Sequence, residues 1–284
     1  MNFEKKIDRR KKYYLIFDCE TATLPCAVNY NGSQKQKIAI AKPLIYDLGW
    51  QVIDRKGNVY KRKSFLISEV FSVPSVFNTA YYASKRPIYL EKLEKNEIVL
   101  TDWKTATREL IKDLKIVEAV GAYNSMFDYK KAIPFTERYI KALYSPDFYE
   151  WEKRQNKICG NIANGKDKNS NKKFNGDIFS FRGKNYPLFD LWGLSCKYLL
   201  NNEDYKTQCK QNGWKTASGK YYKTSAETAY RFITNDSDFV ESHTAVEDSI
   251  IESVLFAKIL EVTKNKFDIG IMYFPFKILG VVEE

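Results

Sequence analysis

The first sustained apolar run, Tyr13 to Cys19 (YYLIFDC), is short and rich in aromatic and aliphatic residues, which is the pattern of a buried strand. Two further strands are predicted at about Ile45 to Ile53 and Val59 to Leu66. Between them, Asp54-Arg55-Lys56-Gly57-Asn58 holds a Gly and an Asn that tolerate positive φ, so the pair should close as an antiparallel hairpin. The period then changes. From Asp102, an N-cap candidate, Trp103, Ala106, Leu110, Ile111 and Leu114 recur at helical spacing, and Ile116 to Ala122 reads as another strand. Helical pattern resumes over Phe127 to Leu143, where Pro134 must start, kink or divide the helix.

Between Asn156 and Gly176 the chain turns Asn-, Lys- and Gly-rich, a composition too polar to bury, and is predicted to be a mobile insertion. Order should return at Pro187 to Leu200, with a small hairpin at Trp214 to Lys223 around Ser218-Gly219. Thr224 to Glu227 matches a capping box for a helix over Ser225 to Ile233. Thr244 and Glu247 repeat that spacing before a last helix reaching about Thr263, with Ile250, Ile251, Val254, Leu255, Ala257, Leu260 and Val262 as its buried stripe. No repeat or clean linker interrupts the 284 residues, so a single α/β domain is expected. A basic arm over 1–12, an insertion over 150–186 and an extension over 264–284 complete it.

With 44% hydrophobic and 29% charged residues, the composition excludes disorder as the main state. No stretch approaches the roughly 18 consecutive apolar residues of a membrane span, and the basic start runs into a strand without the apolar core of a signal peptide, so no membrane is expected and a cytoplasmic location is. Five cysteines (Cys19, Cys26, Cys159, Cys196, Cys209), none at C-x-x-C spacing, encode neither a disulfide framework nor a zinc site. The net charge of +11 is carried by two segments, +4 over Met1 to Lys12 and +7 over Lys153 to Lys184, leaving a neutral body. Such gathered positive charge suits a phosphate-backbone ligand, and equally a solvated run kept for solubility.

Three short motifs could carry chemistry. Asp18 and Glu20 end the first apolar strand, where residues two apart share a face, and two carboxylates in a poorly solvated place call for a cation between them. Asn124, Phe127 and Asp128 follow a later strand, at the end where open α/β sheets place ligands. His243, the single histidine, stands five positions before Asp248 at the start of the last helix. Five helical steps of about 100° would separate the two side chains, so they can meet only if His243 lies on the preceding loop. An imidazole with an ordinary pKa of about 6.5 suits a general base near neutrality. Taken one at a time, each motif has an ordinary alternative: a solvated acid pair, a first-turn helix acid, a surface histidine.

Together, D-x-E, N-x-x-F-D and H-x-A-x-x-D resemble in order and context the three motifs of the DEDDh family of 3′–5′ exonucleases, which includes polymerase proofreading subunits and oligoribonucleases. The resemblance spans Tyr13 to about Thr263. It implies an RNase H-like fold: a mixed central sheet with an antiparallel opening hairpin and then parallel strands, flanked by helices. It also implies Asp18, Glu20, Asp128 and Asp248 as ligands of two Mg²⁺ or Mn²⁺ ions and His243 as the general base. Thr21 would hold the terminal 3′-hydroxyl through its backbone amide, Leu24 would wedge against the last base, and Asn124 and Phe127 would line the cleft. Where many members have Gly at the fourth position of the first motif, this chain has Thr23, which leaves the path toward Leu24 open.

The implied reaction is hydrolysis of nucleic acid from the 3′ end to nucleoside 5′-monophosphates, with DNA favoured over RNA. The competing expectations are an exoribonuclease of the oligoribonuclease type, which would use the same five residues, and a non-catalytic nucleic-acid-binding module. A polymerase or another replication protein is a possible partner. The lean toward Lys, Asn, Tyr and Ile over Arg and Ala is the residue usage of an AT-rich genome, such as that of a bacteriophage or a low-GC bacterium.

Overall fold

The computed structural model describes residues 2–25, 31–165 and 177–282. Its strands are β1 (Phe3–Glu4), β2 (Tyr13–Thr23), β3 (Pro43–Asp54), β4 (Val59–Ile67), β5 (Val99–Thr101), β6 (Ala119–Ala122), β7 (Ile178–Phe181) and β8 (Lys184–Asp190). The helices α1 (Gly32–Ala41), α2 (Ser68–Phe71), α3 (Pro74–Phe77), α4 (Arg86–Glu94), α5 (Trp103–Leu114) and α6 (Ser125–Phe127) come first in the chain. After them follow α7 (Ile133–Leu143), α8 (Phe148–Ala163), α9 (Leu191–Ser195), α10 (Glu203–Asn212), α11 (Ala226–Thr234) and α12 (Ala245–Val262). Among the described residues one sheet runs β1-β4-β3-β2-β6-β8-β7, with β5 added to β4. β2, β3 and β4 pair antiparallel, while β6 joins β2 in parallel and β8 joins β6 in parallel. This is the mixed sheet expected of an RNase H-like fold, an antiparallel opening continued by parallel strands.

Both faces of the sheet are covered, which is why β3 is buried at all twelve of its positions and is mostly apolar, broken by Asp47, Gln51 and Asp54. From β2, Tyr13, Leu15, Phe17 and Cys19 enter one core with Trp50 and residues of α5 and α7. Tyr14 and Ile16 enter the other, against Leu255, Phe256 and Ile259 of α12. Asp18 and Glu20 continue this second row, so the alternation that buries the strand also aims both carboxylates to the side of α12.

The β3–β4 hairpin, the Asp102 cap on α5 and the bridge between Lys215 and Tyr222 follow the sequence expectations. Pro134 falls in the first turn of α7, behind a π-helical stretch at Asp128–Ala132 that divides the helical segment. Other expectations are displaced. Ser225 rather than Thr224 caps α11, and Thr244 makes no capping bond to the backbone but donates to Glu247 Oε2 at 2.6 Å. Val254 and Val262 are exposed, whereas Ser249, Glu252, Ser253 and Phe256 are buried. A helix apolar on most sides does not announce its inner face by hydrophobicity alone.

The described parts of the basic segments form regular structure, while residues 166–176 of the insertion expected to be mobile lie outside the described residues. β1 pairs with β4, and Lys11 and Lys12 form ion pairs with Asp54 and Glu118. α8 extends through Asn156–Ala163, burying Cys159 and Ile162 with Ile38 of α1. Beyond residue 176, Phe179 and Phe181 lie in the core, while Cys26 lies outside the described residues. No helix among the described residues is long and apolar enough to cross a membrane.

The sheet meets α12 most closely at Gly49, the β3 partner of Asp18. A Cβ there would lie 2.3 Å from the backbone nitrogen of Val246 and 2.4 Å from the carbonyl carbon of Ala245. Gly49→Ala should therefore destabilise the fold by roughly 3 kcal/mol, the upper part of the usual overpacking range, because backbone has to move. Thermal melting of the purified variant checks this, and an unchanged midpoint would contradict the close approach.

Candidate active site

β3 carries a bulge opposite the end of β2: Glu20 stands opposite Asp47, but Thr21 pairs with Ile45, so Tyr46 is the extra residue. A bulge bends the strand that carries it and increases the local twist, here beside the β2 carboxylates. Asp18 and Glu20 are half-buried. Desolvation pushes the Asp18 carboxyl well above the ordinary carboxylate range, and the charges of Asp248 and Asp128 push it further. Glu20 is raised likewise, first by burial and then by Asp18, with the Lys85 ammonium partly opposing.

α12 delivers Asp248 to this corner. Its first turn is tied down from the sheet, since the Ala245 N–H donates to Asp47 Oδ2 at 2.9 Å and Tyr89 donates to the same oxygen at 2.9 Å. Asp248 is buried, its Oδ1 lacks a hydrogen-bond partner, and burial followed by neighbouring acids raises its carboxyl to about 9. His243 lies two residues before the helix with φ +53°, in the left-handed region that costs a non-glycine residue on the order of 1–3 kcal/mol. That turn brings its imidazole back over the helix start. Glu20, His243 and Asp248 each offer a ligand atom, all within 4.8 Å of one another. Burial, and then the Lys85 charge, hold the imidazole below its ordinary value of 6.5, so it is neutral at physiological pH.

Asp128 sits just outside that compact group. It is buried at the end of the turn that follows β6, its Oδ1 accepts from the Cys19 thiol at 3.1 Å, and burial raises it to about 7. Thr21, Leu24 and Phe127 line one cavity of about 780 Å³ with Lys35 and Gln36 of α1 and Asn78, Thr79 and Tyr81. Asn124 does not line it. This exposed residue takes a left-handed turn at φ +77°, and its backbone N–H helps hold the buried Asp190.

Four more acids surround the site without belonging to any motif. Glu241 Oε2 lies 3.7 Å from His243 Nδ1, and burial raises its carboxyl to about 7. Glu252, one helical turn beyond Asp248, is buried with Oε2 unpartnered, and burial plus the charges of Asp18 and Asp128 raises it. Asp47 and Asp190 are buried carboxylates that accept backbone N–H bonds. For Asp47 and Glu252 a sequence signal existed: an acid inside an otherwise apolar strand or helix must be paired or functional.

No protein-family model matches the chain, and no curated protein does. A solved structure, that of cell-death related nuclease 4 (CRN-4), is similar at 8% identity and a TM-score of 0.40, over 88% of this chain. The match covers 64% of that protein's chain, so this chain spans less than two thirds of its length.

The raised acids make a stability prediction with a definite sign. Protonation favours folding for each group whose folded pKa exceeds its unfolded value. That contribution is complete below about pH 4, the ordinary carboxylate value, and is lost as pH rises through about 6 for Asp47, about 7 for Asp128 and Glu241 and about 9 for Asp248. In chelator the melting temperature should therefore fall from pH 5 to about pH 9. Millimolar Mg²⁺ or Mn²⁺ should flatten the fall, and overlapping profiles with and without cation would count against a metal at these carboxylates.

Proposed function

We propose that the protein is a divalent-metal-dependent 3′–5′ exonuclease acting on nucleic acid, with single-stranded DNA ends as the preferred substrate. The observation that carries this reading is the convergence of Glu20, His243 and Asp248 within 4.8 Å, with Asp18 and Asp128 adding their charge to the same corner. Carboxylate oxygens with one imidazole and no thiolate in the compact group suit a hard cation, and the unpartnered, buried Asp248 Oδ1 is an acceptor a cation would satisfy. Glu20 and Asp248, with Asp18 and Asp128 beside them, would hold Mg²⁺ or Mn²⁺. Bound there, divalent ions supply positive charge to the attacked phosphoryl group and its entering and leaving oxygens.

The remaining work falls to the chain itself. His243, neutral near pH 7, accepts the proton of the attacking water. Its left-handed backbone keeps the ring on the edge of the acid cluster instead of in solvent. The cavity bounded by Thr21, Leu24 and Phe127 receives the terminal nucleoside, and its largely apolar walls suit a base and sugar better than a second phosphate. A module that merely bound nucleic acid would gain nothing from these buried like charges, which weaken both its fold and its attraction for phosphate.

Digestion of 3′-labelled and 5′-labelled single-stranded DNA, duplex DNA and short RNA with Mg²⁺ or Mn²⁺ tests the reading. Mononucleotide release from the 3′ label is expected, and it should vanish in Asp18→Ala and Asp128→Ala while both variants keep their fold. His243→Ala should slow turnover by roughly 10²- to 10⁴-fold with little change in binding. Normal turnover in either aspartate variant would remove the metal assignment.

A further inference from the structure

The segment between β4 and β5, residues 68–98, belongs to none of the three motifs, yet it reaches the candidate site at three points. Thr79 Oγ1 donates to the backbone oxygen of Thr23 at 2.7 Å and accepts from its N–H at 2.8 Å, which pins the end of β2 beyond the carboxylates. The ring of Tyr82 stacks on His243, with centroids 4.4 Å apart and planes 15° from parallel. Lys85 donates to the carbonyl of Ser242, the residue before the histidine, and its ammonium lies 4.9 Å from the Tyr82 ring centre.

We propose that Tyr82 is a positioning residue for His243: its ring fixes the plane of the imidazole against Glu20 and Asp248, and Lys85 fixes the backbone from which that imidazole hangs. This rests on His243 being the base of the proposed hydrolysis. Three observations support it. An imidazole on a single left-handed residue outside any helix has rotamer freedom that neighbouring secondary structure does not remove, and a flat partner at stacking distance removes it. The stack covers one face of the ring and still leaves a ring nitrogen within 4.8 Å of the Glu20 and Asp248 ligand atoms, so the held orientation faces the acid cluster. The neighbouring Thr79 contact secures the other wall of the corner, so one segment sets the spacing between the end of β2 and the histidine loop. Tyr82 is only partly buried and its hydroxyl makes no hydrogen bond among the described residues; the ring itself is what the geometry uses.

The single histidine makes the test clean, because its two carbon-bound ring protons are the sole such pair in the protein. Proton spectra of the full-length wild type, Tyr82→Phe and Tyr82→Leu should be recorded in chelator beside steady-state hydrolysis of 3′-labelled single-stranded DNA with Mg²⁺. The stack predicts upfield-displaced histidine protons in the wild type and in Tyr82→Phe, and loss of that displacement in Tyr82→Leu. The positioning role predicts a fall in kcat of roughly 10- to 100-fold for Tyr82→Leu at nearly unchanged KM, with Tyr82→Phe close to wild type. Undisplaced protons in the wild type would overturn the stack, whatever the variants do. Displacement lost with kcat intact, or KM and kcat altered equally, would overturn the positioning role. Should Tyr82→Leu fail to fold, Tyr82→Met removes the ring with similar bulk and is read the same way. A wild type that shows the displacement but digests no nucleic acid would instead refute the exonuclease reading and leave the stack standing.

Discussion

Carboxylates that share one poorly solvated corner repel each other and lose hydration, and the fold around the end of β2 is organised by that cost. Asp18, Glu20, Asp128 and Asp248 are joined there by Glu241 and Glu252, and each is held above its ordinary titration range. Lys85, contributed by the segment that follows β4, opposes this at Glu20, and Lys223 and then Lys85 oppose it at Glu241. A protein does not assemble such a cluster for stability. Under the function proposed above, a bound cation would complete the charge of this site, and the cost borne by the cation-free fold is the cost of that readiness.

The cluster has to be built from a rigid frame, because a carboxylate displaced by an ångström no longer shares a cation with its neighbours. That frame is the contact between β3 and the start of α12. Gly49 lets the helix backbone come close to the sheet, and Asp47 takes the Ala245 N–H that the Thr244 side chain leaves uncapped. The same two residues flank the β2 acids across the sheet, Gly49 opposite Asp18 and Asp47 opposite Glu20. The strand that presents the acids and the helix that presents Asp248 are thus registered through one short stretch of β3.

Residues outside this frame shape what the site can receive. α1 and the turn around Asn78–Tyr81 wall a cavity beside Thr21, and the Thr79 bonds to Thr23 hold the end of β2 beside it. The positive charge is placed less simply than its clustering along the chain implied. Part of the basic arm is spent on ion pairs with Asp54 and Glu118, and α8 packs against α1.

Local pattern was enough for the opening strands, their hairpin, α5 and the existence of the last helix, because period-two and period-3.6 burial and turn residues are properties of neighbours in sequence. The pairing of Asp18 with Glu20 on one face was legible for the same reason, and so was the need for His243 to sit on a loop if it was to meet Asp248. Other features had no local signal. Glu241 joins the cluster through contacts between elements far apart in the chain, and Tyr82 reaches His243 across 160 intervening residues. The inner face of α12 is legible only in part: Ile251, Leu255 and Leu260 are buried as their spacing predicts, but Ser249, Glu252 and Ser253 are buried by what packs on them and not by their own hydrophobicity. Sequence periodicity determines which way a side chain leaves its own backbone; which distant groups it then meets, and whether it keeps its charge there, is decided by the assembled sheet and helices.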